Sequence, residues 1–186
     1  MEAFSDGVMA VIITIMVLEM KAPIGDGWDS LRPLAPVLLS YVLSFVFLGI
    51  YWNNHHHMLQ AVRRVNGRIL WANLHLLFWL SLTPFVTAWM GENAFAPAPV
   101  ALYGVVLLFS AVAYYILSRT LITYHGRDSA LGMAIGDDFK GRVSVVFYAV
   151  AIPLAFYTPS GACALYIFVA TMWLIPDRRI EKVLDQ

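Results

Sequence analysis

Charge is scarce in this chain. Lys and Arg number 12, Asp and Glu number 12, and together they make up only 13% of 186 residues, about half the share of a soluble domain. The two signs cancel to a formal net charge of +0, so no basic surface for nucleic acid is expected. Cysteine occurs once, as Cys163 in an apolar stretch. No disulfide framework follows, and a lone Cys in such surroundings reads as a small packing residue. No basic leader or small-residue cleavage site accompanies the first apolar run, so no cleavable signal is expected. Internal repeats are missing too. Catalytic constellations are equally absent. Ser5 and Asp6 are adjacent, so on a helix they face different ways, and Cys163 has no acidic or basic neighbour. Without a nucleophile and base, paired acids or a metal site, an enzyme is not expected.

What the chain has is apolar length. It is 60% hydrophobic, with a mean hydropathy of +0.71. At roughly 20 residues per bilayer-spanning helix, six spans consume most of it. They are read at about 4–20, 34–60, 69–90, 98–122, 141–158 and 161–176. Pro23 and Gly25, Asn66-Gly67, Pro97 and Pro99, Gly132 and Gly136, and Pro159 with Gly161 separate them. The expected class is an all-α polytopic membrane protein, with a six-helix domain over 1–176 and a short tail over 177–186.

Orientation follows from the basic residues, which stay on the cytoplasmic side. Arg63, Arg64, Arg68, Arg119, Arg127, Lys140, Arg142, Arg178, Arg179 and Lys182 fall on one side, and Lys21 and Arg32 on the other. Ten against two places both termini, and the tail, in the cytoplasm. Trp28, Trp52, Trp71, Trp89, Tyr124 and Tyr157 cluster near the expected interfaces as an anchoring aromatic belt.

Polar residues inside spans need a separate account, because the helix already satisfies its own backbone. Phe4-Ser5-Asp6-Gly7 opens the first span directly before an apolar run that reaches Glu19. Asp6 has two readings, a pore-lining acid that attracts cations or a buried acid paired with residues of the second and third spans. At 100° per residue, Phe4, Gly7, Val11, Thr14, Ile15 and Leu18 share one stripe, and Asp6 points about 140° away from its centre. His55, His56 and His57 are consecutive, so they point to different faces and cannot converge on one ion; no metal site or cofactor is expected. His75 reads as a satisfied bundle histidine.

Phe4-Ser5-Asp6-Gly7 followed by Val8–Glu19 resembles the first-helix signature of the transmembrane protein 175 family of potassium channels, in its single-repeat prokaryotic form. The likeness continues in Trp52, Asn54 and His55, then in Asn73 and the run Leu82-Thr83-Pro84-Phe85-Val86-Thr87. It covers the first half of the chain in motif detail and the second half in span number and charge pattern. The resemblance implies a homotetramer in a bacterial inner membrane, with the first helix of each subunit lining a central potassium-permeable pore. It implies a hydrophobic constriction at Val11, Ile15 and Leu18 and a threonine layer at Thr14. A carbonyl filter is not implied, and the chain has no Thr-Val-Gly-Tyr-Gly stretch to build one. Ser5 and Asp6 would tie the first helix to the second and third, with Asn54, His55, Asn73 and His75 as possible partners. Two departures stand out: the family's Arg four residues before the Phe has no counterpart within 1–186, and Val11 stands where Ile is usual. The competing classes are a proton-coupled secondary transporter and a non-conducting membrane scaffold.

Overall fold

A computed structural model describes residues 1–62, 64–126, 129, 131–132 and 139–174. The described residues are helical, with no strand among them. Helix α1 runs Glu2–Leu18, with an acid in its first turn, where the helix dipole favours negative charge. A 3₁₀ turn, Trp28–Leu34, leads into α2, Ala35–Gln60. Pro36 occupies the first turn of α2, where a missing N–H costs nothing. Asn66 caps the next helix by accepting the Ile69 amide at 3.0 Å.

The expected third span is two helices in line, α3 (Gly67–Ser81) and α4 (Thr83–Glu92), joined at Leu82. Pro84 is the cause. It has no N–H to donate to Leu80, and its ring crowds that carbonyl. Helix α5, Pro97–His125, ends at Gly126, whose φ of +91° favours glycine. Helices α6 (Phe139–Leu154) and α7 (Pro159–Leu174) complete the bundle. Counting α3 and α4 as one span, six helices stand where six were expected, with ends shifted by two or three residues in most cases. The tail over 177–186 lies outside the described residues.

Three stretches, Trp28–Gln60, Gly67–Glu92 and Pro97–His125, are long and apolar enough to cross a bilayer. The other three, at 16 to 17 residues, reach about 24–26 Å at 1.5 Å per residue. The buried apolar residues fall into two clusters. In one, Met9, Ile12, Leu48, Leu76 and Leu117 pack between α1, α2, α3 and α5. In the other, Phe47, Met90, Tyr103, Tyr148 and Tyr166 pack between α2, α4, α5, α6 and α7.

Between helices in lipid, close contact matters more than apolar transfer, so small residues set the approach. A Cβ at Gly91 would stand 2.5 Å from Ser40 Oγ and 2.7 Å from Val37 Cα. The α2 backbone cannot rotate aside as a side-chain tip can. Gly91→Val is expected to cost about 1–3 kcal/mol through overpacking and to lower the thermal unfolding midpoint of the purified protein. An unchanged midpoint would refute the close α2–α4 approach.

Candidate functional site

Helix α1 has two faces. Ser5, Met9, Ile12 and Met16 are buried against the bundle. Their spacing of four, three and four is one side of a helix. On the other side, Phe4, Gly7, Val11, Thr14, Ile15 and Leu18 are exposed. Leu18 is 80% exposed and Val11 55%, values that leave most of each side chain without a partner inside this chain. Nothing lies within 4 Å of where a Gly7 Cβ would stand. The Thr14 hydroxyl donates to the Val11 carbonyl at 2.9 Å. Its proton is therefore committed to the helix, and its oxygen lone pairs remain available to a cation.

The buried face carries a polar chain linking three helices. Asn73 Nδ2 donates to Ser5 Oγ at 2.9 Å, and Ser5 Oγ donates to the Met1 carbonyl at 3.1 Å. Asn73 Oδ1 lies 2.7 Å from His55 Nε2. Because the amide nitrogen is already spent on Ser5, Oδ1 must accept, and Nε2 is the proton-bearing nitrogen of His55. Ser5 and His55 are completely buried, and Asn73 nearly so. His55 Nδ1 is left without a hydrogen-bond partner.

Asp6 sits on the border between the two faces, half-buried. Its Oδ1 accepts the Trp52 indole N–H at 3.0 Å. Trp52 therefore has a specific partner as well as a place in the aromatic belt. Asp6 Oδ2 is 3.9 Å from His56 Nδ1, and Glu2 Oε1 is 3.2 Å from the same nitrogen. The Trp52 and His56 rings stack at 5.5 Å.

Of the four expected partners of Ser5 and Asp6, only His55 and Asn73 join this network. Asn54 donates to Ile50 of its own helix at 2.8 Å and borders a cleft lined by Phe47, Tyr51, Ser144, Tyr148 and Trp173. His75 accepts the Trp79 indole N–H at 3.0 Å, four residues along α3. The sequence reading missed Glu2 and His56. Glu2 with Asp6, and Trp52 with His56, are each four apart and share a helix face, which was the available signal. It also missed the mid-bundle cluster in which Ser44 Oγ meets Thr87 Oγ1 at 2.6 Å and the Tyr103 hydroxyl at 3.1 Å. In this cluster, Thr87 also approaches Met16 Sδ of α1 at 3.9 Å.

The arrangement is that of a helix held on one side by hydrogen bonds and presenting a bare apolar stripe on the other. The family model described as endosomal/lysosomal potassium channel TMEM175 matches residues 1–84. A potassium channel of Chryseobacterium sp. (strain P1-3) is 55% identical over 186 residues, covering 100% of this chain and 97% of its own. The crystal structure of a lysosomal potassium-selective channel TMEM175 homolog from Chamaesiphon minutus superposes with a TM-score of 0.77 at 28% identity, covering 94% of each chain. The human endosomal/lysosomal proton channel TMEM175 is 29% identical over 110 residues, which are 53% of this chain and 21% of that one.

Proposed function

The chain belongs to the TMEM175 family of potassium channels, and from that premise we propose a potassium-permeable pore lined by α1 at the centre of a homotetramer in a bacterial cell membrane. The observation that carries this reading is the bare stripe of α1. Val11, Ile15 and Leu18 are exposed apolar side chains, at 55%, 40% and 80%. They recur on one side of a helix whose other side is anchored. Four copies around an axis would turn three exposed positions into three apolar rings.

Such rings gate by occlusion or by dewetting. A hydrated ion passes when α1 rotates or tilts and the rings widen. Thr14 lies between Val11 and Ile15 along the same stripe and offers an oxygen with its proton turned inward. Potassium sheds water more readily than sodium, so a narrow path with one hydroxyl layer favours it modestly. The constriction replaces a carbonyl filter, and discrimination is accordingly weaker than a rigid cage of carbonyls would give. On this reading residues 1–176 form the channel and both termini face the cytoplasm, the side that holds most of the basic residues. The family is one of ion channels rather than enzymes, and the reading needs no cofactor beyond the permeant potassium.

Purified protein in liposomes tests the reading by potassium flux, with sodium, caesium and protons measured beside it. The expected result is non-saturating flux favouring potassium. Saturable flux driven by a proton gradient would replace the channel by a coupled transporter. No flux from folded, oligomeric protein would make it a scaffold. Proton flux exceeding potassium flux would align it with the relatives named as proton channels.

A further inference from the structure

We propose that Glu2, Asp6 and His56 form a binding site for a divalent transition-metal ion of the zinc class. The site joins the first turns of α1 to the last turns of α2. One ligand atom from each residue lies within 4.8 Å of the other two. His56 Nδ1 is 3.2 Å from Glu2 Oε1 and 3.9 Å from Asp6 Oδ2. Around a tetrahedral ion with bonds of about 2.0–2.1 Å, donor atoms stand about 3.3 Å apart. The Glu2–His56 spacing already meets that, and the Asp6 carboxylate has to draw in from 3.9 Å to His56 and from within 4.8 Å of Glu2.

A second observation separates a metal site from an ordinary ion pair. His56 Nδ1 is shielded from solvent and makes no hydrogen bond, despite the 3.2 Å approach of Glu2. The carboxylate is near the nitrogen but off its axis. Ligands that share an ion have this relation, because each points at the ion and not at its neighbour.

The surroundings hold the three donors in place. Trp52 donates to Asp6 Oδ1 and leaves Oδ2 free. The same indole stacks on His56 and fixes the plane of its ring. The Gln60 amide nitrogen lies 2.8 Å from His56 Nε2 and donates to it as placed. A half-turn of that amide, which puts its oxygen in the same place, lets Gln60 accept the Nε2 proton and leaves Nδ1 for the metal, the contact that metal-bound histidines ordinarily make. Two carboxylates and one imidazole suit zinc and its neighbours. Three protein ligands leave one position for water. The expectation that the three consecutive histidines do not share an ion is compatible with this, because only His56 takes part.

Binding does not depend on the channel reading, so its test measures no flux. Isothermal titration of the detergent-solubilised protein with zinc chloride, in buffer free of chelators, is expected to give one ion per chain. Added Co²⁺ is expected to give the visible d–d bands of a protein-bound ion. Glu2→Gln and His56→Gln should each weaken zinc binding at least tenfold, while His125→Gln, outside the three-residue cluster, leaves it unchanged. His56→Cys supplies a softer ligand and should shift preference toward Cd²⁺ by at least tenfold over zinc. Size-exclusion elution identical to the parent shows that each variant is folded. No zinc binding by the parent protein, or binding indifferent to Glu2→Gln and His56→Gln, or an unchanged Cd²⁺ preference in His56→Cys, would each overturn the site.

Discussion

Ile15→Asn is expected to raise potassium flux in liposomes by on the order of tenfold, a lowering of the barrier by about 1.4 kcal/mol. The reason is the solvation of a ring. Ile15 is exposed on the stripe of α1, one helical turn beyond Val11 and one before Leu18. In the proposed four-fold arrangement its side chains would leave water no hydrogen-bond partner at the constriction, and an ion would either shed water or wait for the ring to open. An asparagine at each position supplies donors and acceptors, so water persists there and the ion keeps part of its shell. Discrimination between potassium and sodium should fall in the same variant, because the step that favours the more easily dehydrated ion has been removed. Val11→Asn should act in the same direction with a smaller effect, since the smaller valine would already leave a wider opening. Unchanged flux and unchanged ion ratio in both variants would remove these positions from the gate. An Ile12→Asn comparison separates gate from fold: Ile12 is on the buried face, so it should lose folded protein instead of gaining flux.

Asn73→Ala is expected to destabilise the protein by about 1–3 kcal/mol. The change should be visible as a lowered thermal unfolding midpoint and a faster separation of α1 from the bundle in limited proteolysis. Asn73 holds Ser5 of α1 on one side of its amide and His55 of α2 on the other. Interhelical hydrogen bonds in membrane proteins average only about 0.6 kcal/mol each. The larger total comes from what is left behind. His55 is completely buried and Nδ1 already lacks a partner, so the truncation leaves both ring nitrogens unsatisfied, and an unsatisfied buried polar group costs about 1–3 kcal/mol. Asn54→Ala is the contrasting case. Asn54 donates to Ile50 of its own helix, so its loss breaks no hydrogen bond between helices among the described residues and the midpoint should move little. Equal effects of the two substitutions would contradict the Ser5–Asn73–His55 chain.

The contrast between Asn73 and Asn54 also marks where the sequence stopped being informative. Both were polar residues near the same end of the bundle, and both belonged to the motif that resembles the family. Nothing in their spacing separated them. By contrast, the division of α1 into two faces followed from the 100° turn per residue and the positions of Ser5, Gly7, Val11, Thr14, Ile15 and Leu18. That is a property of one helix, and a single helix obeys its local geometry whatever surrounds it. The number of helices was legible for a similar reason, since apolar length and intervening Pro and Gly act locally. Even the break at Leu82 has its cause in view in the sequence, at Pro84.

By itself, then, the sequence determined the all-helical class, the six apolar segments and the two faces of α1. Only the tertiary structure decided that Ser5 meets Asn73, that Asp6 meets Trp52, that His56 sits between Glu2 and Asp6, and that His75 turns to Trp79. These pairings depend on how far each helix is rotated about its own axis. In a bundle whose helices are apolar on every side, no hydrophobic stripe announces that rotation. It is set instead by the close approaches of Gly91 to α2 and of Gly104 to the Tyr166 ring, and by the polar groups that must find each other once water is excluded.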